Sequence, residues 1–441
     1  MADQTVPLHT VPHPGRSATE ERAAPDGPML AADGRPLKAS LARALRRQKL
    51  SAFLLTAPLL AFLLVAFVIP IGDMLLRSVD NRIVPETLPR TTQMLGHWDA
   101  RAGDLPPEPV FEALYVDLQE AADARMHTRL GSRLNYDLPG ISSVFRGAPR
   151  ALQAMDPDQP LREQFIDANR AWGEMQTWQT IRALSGHYTA GYFLSAADMR
   201  PAADGGVELV PERQRIYAQL FLRTLVLSLT ITALTLILGY PIAYLIASQP
   251  LRTANLLLIL VLLPFWTSLL VRTSSWKVLL QQQGVVNDLL VWIGIVSDAN
   301  RLVMMNNWIG TVVAMTHILL PFMILPLFSV MKTIPPTYVR AAKSLGANDW
   351  TAFWRVYFPQ SIPGIGAGAV LVFILAIGYY ITPALVGGTD GIFISNRIAF
   401  HISTSLNWGL AAALGAILLV AVLVIFWVYD RMVGIDNVKL G

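Results

Sequence analysis

The 441-residue chain is 53% hydrophobic, with a mean hydropathy of +0.43 and a formal net charge of +4. That composition excludes an ordinary soluble enzyme and requires much of the chain to meet lipid. Cysteine is absent, which excludes disulfides, thiolate metal sites and a cysteine nucleophile.

Residues 1–45 are rich in Pro, Ala, Arg and Asp without periodicity and are expected to be disordered. Lys38, Arg43, Arg46, Arg47 and Lys49 then precede the first of six apolar stretches of membrane length, at 52–76. This stretch exceeds a secretory h-region, begins deep in the chain and lacks a small-x-small site after it. It therefore reads as an uncleaved span within 46–77. The basic cluster ahead of it assigns the N-terminus to the cytoplasm, and six crossings return the C-terminus there. Short segments assigned inside hold 12 Lys and Arg against 4 in those assigned outside, in agreement with that orientation.

An insert at 78–215 separates the first two spans and is assigned to the outside. It carries 19 of the 31 acidic residues against 14 Arg and no Lys, a net of −5. Phe111, Leu114, Tyr115, Leu118, Ala121 and Ala122 mark one helical stripe; Leu161, Phe165, Ala168, Trp172 and Met175 mark another. The insert is expected to be mainly helical, burying a core of its own or packing on the membrane domain. It reads first as a solvated cap. The sharper alternative is a docking surface for an external partner, its acidic balance favouring cationic cargo or a basic patch. Asp156 and Asp158 flank Pro157 and read as a turn rather than an acid/base pair.

Residues 216–441 hold the other five stretches, at 220–247, 254–271, 308–330, 364–386 and 409–428. No HExxH, GxSxG, Walker A or Cys/His ligand pattern occurs, so neither catalytic residues nor a metal site are expected. His317 alone among seven histidines lies inside an apolar stretch. A neutral imidazole bonded to a neighbouring helix is favoured there over a proton relay. Pro241, Pro264, Pro321, Pro326 and Pro383 mark either kinks or the broken helices that line transporter cavities. Trp266, Tyr379 and Tyr380 offer faces for an ammonium group, and Asp390 a counter-charge at the outer mouth. Packing is the default role for each. Gly364, Gly366 and Gly368 are expected to permit close helix approach.

The segment 332–359 is unlike an ordinary connecting loop. Tyr338, Ala341, Ala342 and Leu345 share one helical face, Gly346 can end that helix, and Asn348 or Asp349 can cap a second. The second face is Trp350, Phe353, Trp354 and Tyr357, expected to end before Pro359. An apolar face placed where lipid tails cannot cover it asks for a protein partner.

The run from Val339 to Gly346, followed by Val356-Tyr357-Phe358-Pro359, resembles the EAA loop of ABC-importer permeases. Both alanines, Gly346 and Pro359 match, whereas Arg340 replaces the usual Glu, Val356 the Ile and Phe358 the Leu. Leu263-Pro264-Phe265-Trp266-Thr267-Ser268, Val271-Arg272-Thr273, a turn at Gly284-Val285-Val286-Asn287 and Leu320-Pro321-Phe322-Met323 are similar to the spermidine/putrescine-type branch. The resemblance implies an all-α, type I importer bundle of six transmembrane helices in a bacterial inner membrane. It implies a separate cytoplasmic ATPase dimer that uses ATP and Mg, a second permease or a homodimer, and an extracytoplasmic binding protein, with no nucleic-acid partner. Arg340, Ala341, Ala342, Leu345, Gly346, Trp350, Phe353 and Pro359 would then couple the ATPase to the bundle. Polyamine or a related amine leads as cargo; iron(III), thiamine or an organic anion is the alternative. A sensor using the insert would need an output module that the tail 429–441 does not supply. A membrane-embedded enzyme would need a convergent catalytic set, and His317 alone is not one.

Overall fold

The structure, a computed structural model, describes residues 37–100, 103–201 and 206–433. Most of the disordered segment expected at the N-terminus lies outside these. The chain divides into two units, Met1–Ile71 and Gly72–Gly441. In the first, a helix already runs over Leu37–Leu63, so the expected disorder does not extend to residue 45. The first candidate span is Gln48–Arg77. It contains a π-turn, Leu64–Val68, closed by the Ile69 N–H on the Leu64 carbonyl. Pro70 follows directly. Proline lacks an N–H and its ring crowds the preceding turn, and one extra residue in that turn relieves the clash without ending the helix.

Within the second unit the insert folds around its own core. Phe111, Phe145, Phe165, Trp172 and Trp178 are buried together, with Phe111 and Trp178 ring centroids 4.6 Å apart. The Trp178 indole donates to the Trp172 carbonyl at 2.8 Å. The first expected stripe falls on the helix Glu108–Asp123 and faces this core through Phe111, Leu114, Leu118 and Ala121. The second does not form one helix. It divides into Leu161–Ala168, a 3-10 turn at Arg170–Gly173 and Met175–Ala183, because the Asn169 side chain takes the Ala171 N–H and stops the first piece. Leu161, Phe165 and Trp172 remain buried, whereas Ala168 is exposed. Asp156 and Asp158 do form a turn, with the Asp158 N–H on Asp156 Oδ1 at 3.1 Å.

Three carboxylates of the insert serve as helix caps. Asp117, fully buried, accepts the Thr91 N–H and hydroxyl at 2.8 Å each and Arg90 Nη1 at 2.9 Å. Glu108 receives the N–H groups of Leu161 and Arg162. Asp198 receives those of Ile216, Tyr217 and Ala218 at 2.8–3.1 Å and so opens the long helix Tyr217–Ser248. The insert also rests on the membrane bundle: Tyr192 and Ala196 pack with Leu220, Ile394, Leu410, Ala413 and Leu414. Both alternatives for its packing are therefore realised.

The remaining helices of membrane length are Tyr217–Ser248, Trp308–Thr333, Asp349–Gly378 and Trp408–Arg431, with Leu251–Trp266 and Leu269–Leu279 as a pair bent by 91°. The stretch expected as one span at 254–271 is thus broken. Pro264 cannot continue the ladder, and Thr267 turns its N–H and hydroxyl back onto the Pro264 carbonyl. By contrast Pro241, Pro321 and Pro326 lie inside continuous helices. Gly284 opens a helix, Val285–Trp292, rather than a turn. The fifth span is also displaced from 364–386: it starts at Asp349 and stops at Gly378, and Pro383 belongs to a separate helix, Ile381–Val386. Ser395 and Asn396 donate to the Tyr379 and Tyr380 carbonyls that this stop leaves open. A Cβ at Gly364 would meet Val330 at 3.0 Å and one at Gly368 would meet the Met323 sulfur at 2.7 Å, so these glycines do set the close approach of the fourth and fifth spans.

Candidate functional site

The segment 332–359 lies at the end of the bundle opposite the insert. Its first helix is Pro336–Ser344, with proline at the position where no N–H is needed. The helix ends in a left-handed turn. Gly346 has φ +91°, the Ala347 N–H returns to the Ala342 carbonyl and the Gly346 N–H to that of Lys343. Nothing lies within 4 Å of a Cβ built on Gly346, so the demand for glycine is conformational rather than steric. Asn348 supplies the next cap, accepting the Thr351 N–H at 2.8 Å, and Lys343 pairs with Asp349 across the turn.

The second arm differs from the expectation. It does not end before Pro359 but continues into the fifth span as one helix, Asp349–Gly378. A second π-turn, Phe353–Tyr357, makes this possible, with the Phe358 N–H on the Phe353 carbonyl and Pro359 next in sequence. The spacing repeats that of Leu64–Val68 and Pro70, and the physical cause is the same. Gln360 donates its side-chain amide to the Val356 carbonyl at 2.7 Å.

These residues divide between two surfaces. Leu345 is 90% exposed, Trp350 72% and Tyr338 52%. Arg340 and Ala341 are exposed beside them and Ala342 is half-buried. Phe353 turns the other way, packing edge-on against Tyr240 at 6.1 Å and Tyr244 at 5.6 Å, both on the second span. The Tyr240 hydroxyl meets that of Ser361 at 2.9 Å. Lys332 donates to the Ala247 and Gln249 carbonyls, where the second span ends, at 3.2 and 2.9 Å. A cation there also opposes the negative end of that helix dipole. The segment is therefore a stiff bracket fixed to the second and fifth spans, with one apolar face left open.

The transport-path candidates do not form one cluster. His317 accepts the Trp276 indole N–H on Nδ1 at 3.1 Å. Because an indole nitrogen only donates, Nδ1 must keep a lone pair while this bond stands, as expected of a neutral bonded histidine. Asp390 lies 4.0 Å from Arg223, which also donates to the Thr389 carbonyl at 2.8 Å, so its charge is partly met within the chain. Tyr379 and Tyr380 flank the break after the fifth span, and Trp266 stands exposed at the bend of the third. Tyr240, Tyr244 and Lys332 are missing from the site residues picked out by sequence, and Arg272 entered only within a motif. The i, i+4 tyrosines near a span end were the available signal for the first two. Arg272 has its buried Nε without a hydrogen-bond partner among the described residues and its guanidinium 5.9 Å from the Phe265 ring.

Long apolar helices, one of them broken, joined by an amphipathic bracket at one end, define a multi-span membrane protein. Residues 236–433 match the family described as binding-protein-dependent transport system inner membrane component. The chain is 37% identical over 227 residues to the spermidine/putrescine transport system permease protein PotB of Haemophilus influenzae, covering 51% of this chain and 78% of that protein. To PotB of Escherichia coli it is 32% identical over 225 residues, covering 51% and 81%. A solved bacterial alginate ABC transporter chain aligns at 21% identity and a TM-score of 0.40, covering 52% of this chain and 81% of that one. The chain belongs to the family of binding-protein-dependent transport system inner membrane components, in its spermidine/putrescine-type branch, and is an inner-membrane permease of the ABC-importer class.

Proposed function

We propose that the chain is a membrane-spanning subunit of an ATP-driven importer that moves a polyamine or related small amine into the cytoplasm. An extracytoplasmic binding protein delivers the cargo on the insert side. A cytoplasmic ATPase dimer, using ATP and Mg, engages the bracket, and both termini of the chain are cytoplasmic. A second permease, related or identical, completes the pore. One observation carries this reading: Leu345, Trp350 and Tyr338 stand exposed on a helix pair tied to two spans. An isolated apolar face of this kind is stabilised by a protein groove. Because Asp349–Gly378 is one helix, displacement of the loop is passed directly to the fifth span, the kind of rigid-body motion on which alternating access depends. Arg340 stands exposed on the same bracket, so its replacement of the family's Glu places a cation at the ATPase contact.

The relatives' names support the amine cargo. Within the six spans the acidic residues are Asp73, Asp349 and Asp430, all near span ends, so an amine crossing here would rest on aromatic faces such as Tyr380. Copurification with the ATPase and labelled-spermidine uptake in proteoliposomes test the reading. Gly346→Asp should abolish uptake while leaving the subunits assembled. Unchanged ATP-dependent uptake after deletion of 340–359 would sink the coupling assignment. Calorimetry on the binding protein, with spermidine, thiamine and iron(III) in parallel, decides the cargo.

A further inference from the structure

A cavity of about 820 Å³ lies within the second unit, between Arg77, the insert and the start of the last span. Its walls include Arg77, which ends the first apolar helix of membrane length, and Trp408, which opens the last. Four arginines line it, Arg77, Arg82, Arg129 and Arg133, against two acidic residues, Asp80 and Glu86. Three of the four, Arg82, Arg129 and Arg133, belong to an insert whose net charge is −5.

The four arginines are not equally committed. Arg82 holds both oxygens of Asp80, at 3.0 and 2.9 Å, and Arg77 holds Asp73 at 2.8 Å. The Arg133 side chain is only 5% exposed. It donates to Asn81 at 3.1 Å and to Asp137, and lies 4.5 Å over the Tyr192 ring. Its Nη2 has no hydrogen-bond partner among the described residues. Arg129, exposed on the helix His127–Leu134, forms no ion pair among the described residues; its one hydrogen-bond contact is the Met126 sulfur at 3.9 Å. The Tyr136 hydroxyl closes one wall by donating to the Ser405 carbonyl at 3.0 Å, and Leu406 beside it is exposed.

We propose that this cavity binds a phosphate group, supplied by an anionic phospholipid in the leaflet on the insert's side. Guanidinium groups pair with phosphate through two donors at once, which suits a wall of arginines better than a point charge would. Leu406 and Trp408 give the same cavity an apolar edge, and tryptophan is favoured at the headgroup level of a bilayer. A lipid held there would tie the insert to the start of the last span, with its headgroup among the arginines and its chains along Leu406 and Trp408. A carboxylate from a docked protein would satisfy the charge but would leave the apolar edge unexplained.

The test uses the full chain, purified in detergent and supplied with phosphatidylglycerol or phosphatidylcholine, with retained lipid read by native mass spectrometry. Phosphatidylglycerol should be retained preferentially, and Arg77→Gln with Arg129→Gln should weaken its retention about fivefold for each arginine removed. Arg129→Lys should recover part of the loss, and near-UV circular dichroism of the insert's tryptophans should stay unchanged, separating lost binding from lost folding. Equal retention of both lipids, or retention indifferent to the arginines, would overturn the proposal. Inorganic phosphate binding in lipid-free detergent as tightly as phosphatidylglycerol would keep the phosphate site and overturn its lipid source. Loss of binding-protein docking in the double variant, with lipid retention intact, would assign the cavity to a protein carboxylate instead.

Discussion

The insert and the bracket at 332–359 are both helical and both rich in aromatic side chains, yet they use them in opposite ways. In the insert Phe111, Phe165, Trp172 and Trp178 close on one another, and Asp117, Glu108 and Asp198 are spent on capping helices. In the bracket Leu345 and Trp350 are left in the open, and only Phe353 and its neighbours pack back onto the second span. The difference teaches that exposure of apolar groups here does not follow from being outside the membrane. The insert has enough chain to enclose its own core. The bracket, with one short helix and a cap, does not, and its apolar face stays open among the described residues.

Four measurements break or sharpen that contrast. Trp178→Ala should cost the insert about 3–5 kcal/mol, the usual penalty for emptying a large aromatic site, read as a lower melting temperature in near-UV circular dichroism. Asp117→Ala should cost about 2 kcal/mol, because the Thr91 N–H is left buried without its acceptor; hydrogen exchange at the Thr91 amide would show it. If that amide stays protected, the capping account of the acidic residues is wrong.

The third measurement is of pH. His401, on the short helix Ile394–Ser403 outside the candidate spans, meets Tyr217 and Ser405 at 3.0 and 2.8 Å. Burial, helped by the Arg397 charge, lowers its pKa to about 4. The unfolded chain then takes up a proton near pH 6.5 while the folded one does not, so stability should fall as pH drops from about 6.5 towards 4. In His401→Gln that part of the slope should vanish. The smallest effect on stability belongs to Leu345→Ser, within about 0.5 kcal/mol, since the residue is 90% exposed. The same variant should lower ATPase affinity by roughly tenfold, as loss of a central interface anchor does. A melting shift as large as that of Trp178→Ala would make the bracket a core element and erase the contrast.

Much of the fold was legible in the sequence because lipid imposes a simple demand. Every span needs about 20 apolar residues, and that length can be counted. The helix stripe at Phe111–Ala121, the turn at Gly346 and the cap at Asn348 were legible for a similar reason, since each depends on residues within one or two turns. Where the reading failed, the outcome depended on a neighbour or on helix geometry that residue type does not encode. Proline at 264 ends a helix, whereas at 359 and 70 a π-turn absorbs it. Phe353 belongs by periodicity to the same face as Trp350, but Tyr240 and Tyr244 draw it inward.

The sequence by itself determined the membrane class, the six apolar stretches, the insert and the resemblance of the bracket to its family, because composition, length and local spacing carry those. Only the tertiary structure decided that the bracket's second arm and the fifth span are one helix, that the insert's acids cap helices far from them in sequence, and that four arginines share a cavity. Arg77 and Arg133 lie on different helices, and only folding brings them to one wall.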